Sequence, residues 1–188
     1  MGYHRAGFEV VGVDIKPQKH FPFEFHQADA MTYPLEGFDV IHASPPCQRY
    51  SQCTPKEYKE NHPDLIDAVR DRITVYHRRY YVIENVSGAR HLLLDPIMLC
   101  GSMFGLRVRR HRYFETWPPM SGLLPQCNHR EYPICITGTT RRKSGRFEDC
   151  AQDCRNASKL YWMTRKEMDE AIPPAYTEWI GRQLMETL

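Results

Sequence analysis

The sequence predicts an α/β fold on a parallel sheet, and three observations carry that reading. Two short apolar runs end at an acid or a turn: Phe8–Asp14, with Val10, Val11 and Val13, and Phe38–Ser44, stopped by Pro45 and Pro46. A helical period follows, in which Leu65, Val69, Ile73 and Tyr76 recur at steps of three and four behind Asp64 as N-cap. A third run, Tyr80–Val86, opens with four apolar residues, which predicts a strand buried on both faces. Strand, helix, strand in this rhythm gives parallel pairing through right-handed crossovers.

The other elements are read in order. Phe25–Ala28 is a short extended segment, and Asn85, Ser87 and Gly88 end the third run. Gly101–Phe114 alternates loosely and is read as a hairpin region. From Trp117 to about Asn156 the composition turns to Pro, Gly, Cys and Arg, which reads as a loop-rich segment. Thr164 to Glu167 fits a capping box, and Pro173-Pro174 interrupts before a final helix over Tyr176–Leu188. No internal repeat is present.

With 188 residues, 41% of them hydrophobic, the chain suits one good core, so a single domain over 1–188 is expected. No apolar run reaches the length of a membrane span and Met1–Arg5 lacks a signal-peptide pattern, so a cytoplasmic protein is expected. Seven cysteines in no regular framework favour reduced thiols over disulfides. The net charge of +2 is clustered: Arg107, Arg109, Arg110 and Arg112 form one group, and Arg141, Arg142, Lys143 and Arg146 another. Such clusters suit phosphate contact, and otherwise are solvated loops.

The residues with chemistry lie at strand ends. Ser44-Pro45-Pro46-Cys47-Gln48 holds a cysteine in a stiff turn after one strand, and Glu84 and Asn85 close another. A thiolate and a carboxylate so placed can attack an electron-poor ring and steady its nitrogen. Taken singly, Cys47 could be a buried structural cysteine and Glu84 a buried carboxylate paired with an arginine. Ligands of open parallel sheets sit beyond the carboxyl ends of strands, so Asp14 and Asp29 could meet a nucleoside at its ribose hydroxyls and adenine amino group. Either acid alone is more often a loop cap. Cys127, His129, Cys150 and Cys154 carry thiolate and imidazole donors suited to zinc, but Cys-x-His with Cys-x-x-x-Cys is not a standard pairing, and no metal is expected.

Proline-Pro-Cys-Gln at 45–48, Glu-Asn-Val at 84–86, and Arg110-His111-Arg112-Tyr113-Phe114 occur in an order that resembles the DNA cytosine carbon-5 methyltransferases. The resemblance spans nearly the whole chain. It implies a Rossmann-like fold dependent on S-adenosylmethionine, with methyl transfer to carbon 5 of cytosine through a covalent Cys47 adduct. Glu84 would hold the ring, Arg112 its carbonyl oxygen, and Arg110 the site around it. Asp14 with Ile15, and Asp29 with Ala30, match the ribose and adenine positions, and Pro45 joins the cofactor set. Gln48, Ser51 and Asn85 match positions facing DNA, and Gln48–His62 matches a mobile loop that closes over it. The cytosine must leave the duplex stack to reach Cys47.

Three departures bear on this. Val108 stands where the arginine motif has glutamine, and Asp169 and Glu170 precede Ala171-Ile172-Pro173 where the last motif has Gly-Asn. The family's opening strand and Phe-x-Gly-x-Gly turn are missing, since Gly2–Phe8 matches the helix tail after them. An inactive, truncated remnant that still binds DNA or nucleotide is therefore one alternative, and an RNA cytosine carbon-5 methyltransferase another. The short segment at about 117–160 takes the place of a target-recognition domain. A cognate restriction endonuclease is an expected partner.

Overall fold

The structure is a computed structural model that describes residues 1–76, 80–120, 122, 124–129, 134, 136 and 151–188. In chain order its elements are α1 (Gly2–Arg5), β1 (Val11–Asp14), β2 (Glu24–Gln27), β3 (Val40–Ala43), α2 (Ile66–Tyr76), β4 (Tyr80–Asn85), β5 (Ile97–Leu99), β6 (Arg112–Trp117), α3 (Ala151–Ser158), α4 (Arg165–Glu170) and α5 (Pro174–Met185). They divide into two compact units. The first holds Met1–Gln27, Cys100–Arg110 and Leu124–Thr187, and the second Ala28–Leu99 and His111–Leu123 with Leu188. Among the described residues no helix is long and apolar enough to cross a membrane.

The second unit carries a four-stranded sheet in the order β3-β4-β6-β5. β3 and β4 are parallel, Val40 facing Tyr80 and Ala43 facing Ile83, as the strand-helix-strand period predicts. β6 lies antiparallel on the far side of β4, with Glu84 opposite Phe114, and β5 antiparallel on β6. Central β4 is buried over Tyr81–Asn85. Ile66 and Ile73 of α2 pack with Leu35, Tyr81, Ile83, Ala89 and Leu93 to form the core on one face. Each such side chain removed from water contributes about 1.5–3 kcal/mol.

The first unit holds β1 and β2 as a separate parallel pair, Val11 facing Glu24 and Asp14 facing Gln27. α1 packs closely on α5, because a Cβ on Gly2 would stand 2.1 Å from Thr177 Oγ1 and 2.2 Å from the Pro174 carbonyl oxygen. Val108, Ile136, Cys154, Leu160 and Met168 form one apolar cluster of its core. The capping box is present: Glu167 N donates to Thr164 Oγ1 at 3.4 Å, and Thr164 N to Glu167 Oε2 at 2.7 Å. Pro174 opens α5 as its first residue, where a missing N–H costs nothing.

Several boundaries differ from the sequence reading, among them the last helix, which runs Pro174–Met185 where Tyr176–Leu188 was expected. The Leu65 carbonyl accepts from Val69 N, so Leu65 occupies the cap position of α2 and Asp64 precedes it. Gly101–Phe114 is not a hairpin. Gly101–Phe104 makes a 3-10 turn ended by Gly105 at φ 68°, and only Arg112–Phe114 of the segment are in a strand, pairing antiparallel with Ile97–Leu99 before it. Glycine at 101 allows this turn, since a Cβ there would lie 2.3 Å from the Val108 carbonyl oxygen. The loop-rich segment contains α3 from Ala151, and 137–150 lie outside the described residues.

Candidate active site

The carboxyl ends of adjacent parallel strands β3 and β4 carry the two strongest sequence signals, Ser44–Gln48 and Glu84-Asn85. Pro45 is buried, Cys47 half-buried and Gln48 exposed. Immediately after Cys47 the chain turns, with Tyr50 N and Ser51 N both donating to the Cys47 carbonyl, at 3.0 and 2.9 Å. Asn85, 1% exposed, donates from Nδ2 to the Pro45 carbonyl at 3.1 Å, and its Oδ1 accepts from Val86 N at 2.9 Å. The amide thus ties the end of β4 to the turn two residues before the thiol. Gly88 completes the tie, because a Cβ there would stand 2.2 Å from the Tyr50 carbonyl oxygen.

Glu84 and Arg112 meet across β4 and β6. Glu84 faces Phe114 in the register, and Arg112, two residues on, points to the same face. Arg112 Nε lies 2.9 Å from Glu84 Oε1, with both side chains nearly buried, and Arg112 Nη1 also donates to the His111 carbonyl at 3.0 Å. Two residues singled out separately in the sequence are thus one ion pair. The arginine pairing weighed as the plain alternative for Glu84 is present, and its partner is a residue of the same motif set.

The stretch after Cys47 is held by bonds of its own. Lys56–Asn61 forms a 3-10 turn, and Arg49 clasps it, donating to the His62 carbonyl at 3.2 Å and pairing with Glu60 Oε2 at 2.8 Å. Ser51 Oγ accepts from Cys53 N at 3.1 Å. On the opposite face of β4 and β6, Glu115 (1% exposed) accepts from Arg70 at 2.7 and 2.8 Å, Tyr81 Oη at 3.1 Å and Leu94 N at 2.9 Å. Burial and the Glu115 carboxylate push the Tyr81 phenol up to about 12. The sequence reading passed over this network. Its signal was a single acid inside the aromatic strand Tyr113–Trp117.

The remaining candidates lie elsewhere. Asp14, in the first unit, accepts from Lys16 N at 2.8 Å and Gln18 Nε2 at 3.0 Å, and Ile15 beside it is 68% exposed. Asp29, in the second unit, accepts from Met31 N at 2.8 Å and is exposed, as is Ala30. Both acids therefore cap their own turns. Arg110 is 3% exposed in the first unit and donates to the Asp169 carbonyl at 2.6 Å, so it is not a surface charge. Of the first arginine cluster, Arg107 and Arg109 are exposed; the second cluster lies outside the described residues. None of the described cysteines is in a disulfide.

Cys127 and His129 stand together, Sγ to Nε2 2.6 Å, but their neighbour is Cys100, whose Sγ is 3.3 Å from the same nitrogen. Cys154 lies instead in the apolar core with Val108 and Met168, and Cys150 is outside the described residues. No spacing rule pointed to Cys100, 27 residues before Cys127.

No family model matches the chain, and no curated protein matches it. Among solved structures it is similar to a candidate DNA modification methyltransferase encoded within a prophage of E. coli, at 21% identity and a TM-score of 0.45. The match covers 72% of this chain and 49% of that one, so the chain spans about half the length of that neighbour.

Proposed function

We propose that the chain transfers a methyl group from S-adenosylmethionine to carbon 5 of cytosine in DNA, with Cys47 as nucleophile. The observation that carries this reading is the convergence in the second unit: the Pro-Pro-Cys turn and Glu84-Asn85 end neighbouring parallel strands, joined by the Asn85–Pro45 bond, with Arg112 on Glu84.

Each residue then has a task. The Cys47 thiolate bonds to carbon 6, and the electron pair of the 5,6 double bond moves into the ring, making carbon 5 nucleophilic. Glu84 holds nitrogen 3 and the exocyclic amine, where charge develops, and Arg112 offers guanidinium N–H groups to the carbonyl oxygen on carbon 2. The Glu84–Arg112 pair fixes both side chains before the base arrives, so little reorganisation is left to the reaction. After carbon 5 takes the methyl group, loss of its proton restores the double bond and expels the Cys47 thiolate. Asn85 sets the turn that aims Cys47, and Gln48 and Ser51 take the DNA side of the loop that Arg49 clasps.

S-adenosylmethionine supplies an electrophilic methyl group when bound. The residues present fit its nucleoside in chemical type: Asp14 has a carboxylate for ribose hydroxyls, reached by exchanging the Gln18 bond, and exposed Ile15 offers apolar surface. Asp29, in the other unit, carries an acceptor of the type an adenine amine needs, with one of its oxygens engaged by Met31 N.

Trapping tests the covalent step. Duplex DNA with 5-fluorocytosine cannot release the carbon-5 substituent after methylation, so a complex that survives denaturing electrophoresis is expected. Peptide mapping should place the bond at Cys47. A bond mapped to another cysteine, or a trapped complex formed equally by Cys47→Ala, would overturn the assignment. Competition by tRNA that outpaces duplex DNA would move the substrate to RNA.

A further inference from the structure

The geometry points to a zinc site in the first unit, built on Cys100, Cys127 and His129 and separate from the chemistry proposed above. The two Sγ atoms and the imidazole nitrogen lie within 4.8 Å of one another. Four ligands arranged tetrahedrally around zinc, at about 2.3 Å for sulfur and about 2.0 Å for nitrogen, stand about 3.5–3.8 Å apart; His129 Nε2 lies 3.3 Å from Cys100 Sγ and 2.6 Å from Cys127 Sγ, so an ion would move the Cys127 thiolate outward by about 1 Å. Two soft thiolates and an imidazole suit Zn²⁺ over the harder Mg²⁺ or Ca²⁺.

The surroundings are those of a structural metal site. Cys100 is fully buried and opens the 3-10 turn Gly101–Phe104, whereas His129 is exposed, which leaves a path for the ion. Ser102 Oγ lies 3.4 Å from Cys100 Sγ and 3.5 Å from Cys127 Sγ, and it also accepts from Asn128 N at 3.1 Å. That hydroxyl orients both sulfurs, as outer-sphere partners of metal ligands do. An ion there would fasten the chain entering the segment from 130 onward to the core of the first unit, through Phe104, whose ring stacks on Tyr176 at 5.4 Å.

The test is metal content of the full-length chain, purified without chelator. About one zinc per chain is expected, and cobalt exchanged for it should show the intense visible bands of tetrahedral thiolate coordination. X-ray absorption should count two sulfurs among the ligands and show whether the fourth is water or a further side chain. Cys127→Ser and His129→Gln, both on the accessible side, should each lower the retained zinc at least tenfold while circular dichroism stays that of a folded protein. Cys154→Ser should keep it. Metal-free protein that fails to bind cobalt at micromolar concentration would overturn the site. So would zinc retained by both accessible variants, or zinc lost only with Cys154.

Discussion

The Glu84–Arg112 pair sets what single substitutions do at the residue scale. Arg112→Ala leaves a carboxylate buried without its cation, which should cost about 3 kcal/mol, read from urea midpoints. Adding Glu84→Gln should return part of that loss, and a double-mutant cycle with no coupling would show that the two side chains do not act together. Activity should fall in both single variants. Asn85→Ala should cost only about 1 kcal/mol in stability, yet lower kcat far more than KM, because the bond it removes holds the turn before the thiol. Cys47 and Glu84 stood out as candidates because they sit in motif strings at strand ends. Their link to Arg112 was not, since pairing arises from the β4–β6 register, which no local pattern encodes. For the same reason Cys100 went unread as the neighbour of Cys127 and His129.

At the element scale, β3 and β4 behave as the period predicts, and the turns between elements hold the surprises. Gly88→Ala would drive a Cβ into the Tyr50 carbonyl. It should destabilise by about 2 kcal/mol, as overpacking does, and slow catalysis with it. His42, on β3, is hydrogen-bonded with Ser44 at 3.1 Å, and burial pushes its imidazole down to about 4 from an ordinary 6.5. The unfolded chain takes up this proton below about 6.5 while the folded chain refuses it until about 4. His42 therefore adds a loss of stability as pH falls through that window. His42→Gln should flatten the dependence of unfolding midpoint on pH between 6.5 and 4. Equal slopes in the two proteins would contradict the assignment. Strand-end acids were legible as elements, Asp14 closing β1 and Asp29 following β2, but their turn-capping bonds show how little an isolated acid says.

At the scale of the molecule, one parallel sheet was expected and the described residues form two, β1–β2 in one unit and the mixed β3-β4-β6-β5 sheet in the other. Periodicity announces that a strand exists, but pairing partners distant in sequence are chosen by tertiary packing, so the antiparallel β5 and β6 could not be read in advance. Charge follows the same logic. Arg110 and Arg112 are engaged in internal bonds, which leaves Arg107 and Arg109 as the exposed members of that cluster. If these two touch phosphate, replacing either with alanine should reduce the slope of log affinity for duplex DNA against log salt by about 1, uniformly across sequences.

The most direct measurement is transfer of labelled methyl from S-adenosylmethionine to unmethylated duplex DNA by the chain and by its Cys47→Ala variant. The account predicts label in carbon-5 cytosine for the first and none for the second. Label that persists in Cys47→Ala, or appears on another base or atom, would contradict it.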